Sequence, residues 1–95
     1  MIYEAWRKKE SKGDTRKYVV VAEDTAEAKL LVAKYITNHE QKEFFLSDLD
    51  IGYPDEMDLR QRDSVAGGWW RGSVWDDYQY YRGQNKTGVI YTYII

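Results

Sequence analysis

Apolar residues in the first quarter of the chain fall into two short runs that are typical of β-strands. Residues 2–9 and 17–23 are both predicted strands, the second because it contains the consecutive β-branched residues Val19 to Val21. Gly13 and Asp14 between them are residue types that favour a tight turn. The pattern therefore predicts a β-hairpin at the N-terminus.

A different period begins after the second strand. Asp24 followed three residues later by Glu27 is a capping-box pattern, and it predicts a helix from Thr25 to about Asn38. Apolar side chains recur at the spacing of three and four that places them on one face of a helix. The members of this stripe are Ala28, Leu31, Val32, Tyr35 and Ile36. We expect the stripe to pack against the sheet.

The middle of the chain is less regular. Residues 43–49 are predicted to form a third strand, because Phe44, Phe45 and Leu46 are too apolar for a solvent-exposed loop. Residues 50–66 are predicted to be a loop with one short helical turn. Pro54 would occupy the first position of that turn, with acidic residues before the basic ones in the order that suits a helix dipole.

Two interpretations are open for the last thirty residues. In one, Ser73 and Asp76 form a capping box for a helix that ends at Gly83. In the other, residues 74–82 form a strand that pairs with residues 89–95 through the turn from Gly83 to Gly88. We favour the hairpin, which would place Tyr78 and Tyr80 on one face beside tyrosines of the final strand.

These elements predict an α+β fold. We expect a small antiparallel sheet of about four to five strands packed against one main helix, with a β-hairpin at each end of the chain. The chain has 95 residues, of which 43% are hydrophobic, and it is expected to fold as a single domain over residues 1–95.

Composition and charge exclude several classes of protein. There is no cysteine, which excludes disulfides, thiolate nucleophiles and cysteine-based metal sites. No apolar run has the length of a signal peptide core or a membrane span, so we expect a cytoplasmic protein with no membrane association. The net charge is −2, and bases are in clear excess only in the first twenty residues, which have six bases and three acids, whereas the last thirty-two residues have three bases and two acids. This distribution argues against a large phosphate-binding surface.

The most unusual feature of the composition is the aromatic segment, residues 67–83, which holds three of the four tryptophans and three of the nine tyrosines. Tryptophan, tyrosine and arginine dominate binding hot spots, so we expect this segment to contact a partner. The candidate residues are Trp69, Trp70, Arg71, Trp75, Tyr78 and Arg82. The alternative is that some of these rings fill the core.

A second candidate is a run of five acidic residues that no basic residue interrupts: Asp48, Asp50, Asp55, Glu56 and Asp58. Three interpretations are open. The acids could be a solvated loop, they could imitate the charge of a nucleic-acid backbone, or Asp48 and Asp50 could begin a calcium loop. The calcium interpretation is weakened because Gly52 and Leu59 occupy positions at which a calcium loop has oxygen ligands.

No constellation of residues indicates catalysis. The single histidine, His39, lacks the second histidine that a zinc-peptidase motif places one helical turn later. The segment from Gly83 to Gly88 resembles a phosphate-binding loop, but it lacks the glycine before Lys86 and a predicted helix after Thr87, so we interpret it as a turn. We therefore expect a protein that is not an enzyme and that uses neither a metal nor a cofactor.

The function that combines the aromatic segment with the acidic run is inhibition or sequestration of a protein or nucleoprotein complex. The alternatives are a single-strand nucleic-acid-binding domain that uses an aromatic sheet face, and an enzyme whose site is too diffuse to identify. In its small size, acidic run and aromatic content the chain resembles the counter-defence proteins of phages and other mobile elements, such as anti-CRISPR inhibitors. The resemblance is one of style, and it assigns no residue a role.

Overall fold

The computed structural model describes residues 1–8, 15–64 and 72–94. Its main sheet has four antiparallel strands: β1 (Ile2–Arg7), β2 (Arg16–Val21), β3 (Leu49–Gly52) and β6 (Gly88–Ile94). They are arranged in the order β3-β1-β2-β6. The α+β class, the N-terminal pairing and the main helix are confirmed.

Strands β1 and β2 pair from Ile2 opposite Val21 to Trp6 opposite Lys17. The predicted turn at Gly13 and Asp14 lies outside the described residues. Strand β6 pairs with the other edge of β2, and a bulge lets Val19 face Tyr91 while Val20 faces Val89. The bulge turns two consecutive residues of β6, Ile90 and Tyr91, toward the same core.

The sheet is covered on both faces because its central strand is apolar on both faces. Tyr18 and Val20 point to one side, and Val19 and Val21 point to the other. Two separate clusters of buried side chains result. The first is built with helix α1, Thr25–Glu40, and the second with the helices α2, Glu56–Gln61, and α3, Val74–Gly83.

Helix α1 follows the sequence prediction. The side chain of Asp24 accepts a hydrogen bond from the backbone N–H of Glu27 at 2.7 Å, which fixes the first turn. The predicted stripe faces the sheet: Ala28, Val32 and Ile36 are buried, and Leu31 and Tyr35 are partly buried against the same cluster. The helix extends two residues beyond the predicted end and finishes at Glu40.

The predicted strand at residues 43–49 is wrong. That segment contains a 3-10 turn, Leu46–Asp48, and strand β3 begins only at Leu49. Phe44 is partly buried against the first cluster, whereas Phe45 is exposed. Phe44 therefore makes one packing contact from a connecting segment. The apolar composition of that segment resembles the composition of a strand.

The predicted helical turn after residue 50 is present as α2. Its N-cap is Asp55, whose side chain accepts from the backbone N–H of Met57 at 2.8 Å and of Asp58 at 3.3 Å. Pro54 therefore precedes the cap instead of starting the helix. A small second sheet pairs β4, Asp63–Ser64, with β5, Gly72–Ser73.

The favoured C-terminal hairpin is wrong, and the helical interpretation is right. Ser73 accepts from the backbone N–H of Asp76 at 3.1 Å, and the Asp76 side chain accepts from the backbone N–H of Ser73 at 3.3 Å. This capping box starts α3. Strand β6 follows through a short connection, but its partner in the sheet is β2.

Candidate functional site

The C-terminal part of the aromatic segment forms helix α3, whose rings divide between core and surface. Val74 is fully buried, and the side chains of Trp75, Tyr78 and Tyr81 pack against the second cluster of the sheet. Trp75, Tyr78 and Tyr81 lie on one face of the helix. Tyr80 lies on a different face, whereas the predicted hairpin placed Tyr78 and Tyr80 on the same face. Trp69, Trp70 and Arg71 lie outside the described residues.

Trp75 joins helix α3 to helix α2. Its ring meets Tyr78 edge to face with centroids 5.6 Å apart, and the Arg60 guanidinium carbon lies 4.3 Å from the indole centroid. Arg60 also pairs with Glu56 one turn earlier in α2, at 2.9 Å. The ring and its cation therefore contribute to the packing of the two helices. For Trp75 and Tyr78, the structure favours the interpretation as packing residues.

The outer side of α3 is polar with one large ring. Tyr80 is 56% exposed, and the Lys86 ammonium lies 5.3 Å from its ring centroid. Arg82 is exposed and lines a shallow pocket of about 430 Å³ with Tyr78 and Lys86. This part of the predicted binding segment is accessible to a partner.

The five acidic residues of the sequence prediction lie in different local structures. Asp48 ends the 3-10 turn and Asp50 is in β3, with its carboxylate 3.9 Å from the Lys8 ammonium. Asp55 caps helix α2, and Glu56 lies in its first turn. Among the described residues, no cluster of histidine, aspartate and glutamate side chains is arranged to hold a metal ion.

Large apolar side chains interrupt the acids around helix α2. Met57 is 65% exposed, although methionine is usually buried. Tyr53 is 70% exposed, and its ring centroid lies 5.6 Å from that of the buried Tyr3. In the sequence, Tyr53 and Met57 lie beside three exposed carboxylates, and we call this set the α2 surface. Its members are Tyr53, Asp55, Glu56, Met57 and Asp58. The sequence prediction contained its acids and did not contain Tyr53 or Met57.

No protein family model matches this chain, and comparisons with curated proteins and with solved structures found no match. In the described residues, no helix is long and apolar enough to cross a membrane.

The sequence prediction missed a basic cleft at the other end of the molecule. The cleft has a volume of about 500 Å³ and lies between the end of α1 and the sheet. Arg7, Arg16, His39 and Lys42 line it, together with Glu40. The bases of the N-terminal hairpin were the available signal, but a charge-rich hairpin is more often only solvated. Their convergence on Glu40 depends on the fold.

A buried acid on the opposite face of the sheet was also missed. Glu4 accepts a hydrogen bond from the Tyr93 hydroxyl at 2.5 Å, and its carboxylate lies 3.2 Å from the Lys17 ammonium. Burial, followed by the hydrogen bond to Glu4, raises the pKa of Tyr93. The Arg62 guanidinium lies 4.1 Å from the Tyr93 ring centroid. The Glu4 carboxylate thus finds its partners within the fold, which is typical of a structural network, whereas Arg62 Nε is buried without a hydrogen-bond partner among the described residues.

Proposed function

We propose that the protein is a non-enzymatic binding module that uses the α2 surface to bind a basic protein or nucleoprotein complex. The observation that carries the proposal is the exposure of Tyr53 and Met57 between carboxylates. Exposed apolar side chains grouped within a polar rim are typical of contact surfaces.

The charge of the α2 surface indicates the chemistry of the partner. Asp55, Glu56 and Asp58 contribute three carboxylates within four residues, and Arg60 offsets one of them through its pair with Glu56. Complementary charge raises the rate of encounter and suppresses partners of like charge. A partner with arginine or lysine side chains around an apolar pocket fits this surface.

Inhibition is the form of binding that we infer for this module. An acidic surface that occupies a basic groove denies that groove to nucleic acid, and the two apolar side chains would anchor it there. The resemblance in style to small inhibitors of phages and mobile elements supports this role, and so does a cysteine-free composition suited to the cytoplasm. The exposed Tyr80 and Arg82 of α3 would extend the contact.

The proposal can be tested by placing a photo-crosslinking side chain at Met57 and, as a control, at Leu30. Leu30 is 57% exposed on helix α1, away from the α2 surface. A direct partner is expected to cross-link from position 57 and not from position 30. Its affinity for the purified chain is then measured by calorimetry with Tyr53→Ser, Met57→Ser and Leu30→Ser.

We expect Tyr53→Ser or Met57→Ser to weaken binding about tenfold, which corresponds to losing roughly 1.4 kcal/mol of contact energy. Leu30→Ser should leave the affinity unchanged. Asp58→Lys should slow association, because the charge that attracts the basic partner is reversed. An equal loss in the Leu30 variant contradicts the proposal. Tight binding of a bare single strand that weakens steeply with salt would favour the nucleic-acid alternative.

A further inference from the structure

The basic cleft gathers positive charge around one carboxylate. Its lining is Arg7, Arg16, Tyr18, Tyr35, His39, Glu40, Lys42 and Ile94. By formal charge, Arg7, Arg16 and Lys42 are the positive residues of this lining and Glu40 is its one negative residue. The cleft therefore has an excess of two positive charges before His39 is considered.

Glu40 holds the two arginines in place. Its Oε2 accepts from Arg7 Nη2 at 2.9 Å, and its Oε1 accepts from the buried Tyr18 hydroxyl at 2.6 Å. Arg16 is more loosely tied, with Nε 3.9 Å from Oε1 and Nη1 donating to the Thr92 hydroxyl at 3.2 Å. A carboxylate that is already shared cannot neutralise both guanidinium groups and the lysine.

Several donors of the cleft remain available. Lys42 is exposed and has no ion pair within the described part of the chain, and the Arg16 side chain is 41% exposed, whereas Arg7 Nε is buried and out of reach of a ligand. The Phe44 ring, 5.0 Å from the Arg7 guanidinium carbon, restricts that guanidinium further. Because Arg7 is held before any ligand arrives, less side-chain entropy is lost on binding.

The walls of the cleft offer ring and apolar surface beside the charges. Tyr35 and His39 stack with centroids 4.2 Å apart, and His39 Nδ1 lies 3.1 Å from the backbone carbonyl oxygen of Tyr35. Ile94 contributes a half-exposed aliphatic side chain. A cleft of this volume accepts a ligand larger than a bare ion.

We infer that the basic cleft binds the phosphate group of a small phosphate monoester. Planar guanidinium groups match the oxygen geometry of phosphate, and two excess positive charges match a dianion. The organic part of the ligand would rest on Tyr35 and Ile94. This site is separate from the α2 surface, and a test of the phosphate site does not depend on the proposed protein partner.

The inference is tested by nuclear magnetic resonance titration of the isotope-labelled full chain. The probes are inorganic phosphate, adenosine 5′-monophosphate and adenosine. The first two are expected to shift the side-chain signals of Arg7 and Arg16 and the ring signals of His39. Adenosine should leave the arginine signals in place. Stronger binding of the monophosphate than of phosphate supports a ligand with an organic part, and equal binding contradicts a contact between the cleft and an organic part.

Two variants change the charge of the cleft in opposite directions. Arg16→Gln should weaken phosphate binding on the order of tenfold, since it removes a charge-assisted donor. Glu40→Gln should strengthen binding several-fold, because it removes the competing anion while keeping an acceptor for Tyr18. Lys34→Gln and Asp63→Asn change the same charges at exposed positions outside the cleft and should have little effect.

Three further results would overturn the inference. One is the absence of shifts at millimolar phosphate, and another is shifts of equal size at Lys34 and in the cleft. The third is phosphate affinity that Arg16→Gln and Glu40→Gln leave unchanged while their amide spectra show that both variants are folded.

Discussion

At the residue scale, buried carboxyl groups differ in how completely they are satisfied. The buried Glu4 accepts from the Tyr93 hydroxyl, and the partly buried Glu40 accepts from the Tyr18 hydroxyl. Asp77 is also buried, but its Oδ2 has no hydrogen-bond partner among the described residues. Burial, together with the neighbouring Asp76, raises the pKa of Asp77 from 3.8 to about 6. The charged form of this one acid therefore opposes folding.

We predict that Asp77→Asn stabilises the protein in a pH-dependent way. Below about pH 3.8 the carboxyl is neutral in both the folded and the unfolded state, so the substitution has little effect. As the pH rises toward 6, the unfolded chain loses its proton first, and the wild type loses stability. Above pH 6 the variant should be more stable by about 1 to 3 kcal/mol.

Urea denaturation at pH 3.5 and at pH 7.5 measures this difference. Asp63→Asn is the control, because Asp63 is exposed and its charge is solvated. It should show no comparable gain at pH 7.5. A gain for Asp77→Asn that is the same at both pH values would contradict the assignment to ionisation.

At the element scale, the N-terminal capping box decides that the tyrosine-rich α3 segment forms a helix and not a strand. The α3 segment has residues that suit a strand, and the hairpin prediction followed from them. The reciprocal hydrogen bonds between Ser73 and Asp76 satisfy backbone groups at the first turn, and the apolar positions then align at helical spacing. The capping box was therefore a better predictor of this element than its strand-favouring tyrosine content.

We predict that Ser73→Ala destabilises the protein by about 1 kcal/mol, the usual cost of losing an N-cap side chain. The midpoint of thermal unfolding, followed by far-ultraviolet circular dichroism, should fall accordingly. Ser47→Ala serves as the control, because Ser47 is exposed in the 3-10 turn and caps no α-helix. An unchanged midpoint for Ser73→Ala would contradict the role of the capping box.

Elements with a strong local sequence pattern were predictable, and elements whose bounds depend on pairing with a distant strand were not. Helix α1 has a cap and a continuous stripe, and β2 has a run of β-branched residues, so each is specified by near neighbours in sequence. Strand β3 begins where Leu49 pairs with Arg7, and nothing within residues 43–49 marks that position. Its start is set by the register with β1.

At the scale of the whole molecule, one sheet separates two buried clusters. Val32 of α1 and Val74 of α3 are both fully buried, on opposite faces of β2. The central strand contributes alternate side chains to each cluster, so loss of either cluster removes packing from the same strand. We therefore expect the two faces to unfold together.

We predict that Val32→Ala and Val74→Ala each lower the free energy of unfolding by about 1.5 to 3 kcal/mol, through lost burial and the cavity that remains. In both variants, circular dichroism and tryptophan fluorescence should give one coincident denaturation midpoint. Separate midpoints in the Val74 variant would show that α2 and α3 unfold independently of the rest. Leu30→Ala, at an exposed position, should leave the midpoint unchanged.

The sequence alone determined the α+β class, the pairing of the first two strands, helix α1 and the acids around α2. Each follows from spacing or composition over a few residues. The tertiary structure decided the third layer formed by α2 and α3, the exposure of Tyr53 and Met57, and the cleft around Glu40. Glu40 is 33 residues from Arg7 and 22 from Tyr18. Contacts at that separation depend on how the helix crosses the sheet, which local periodicity does not encode.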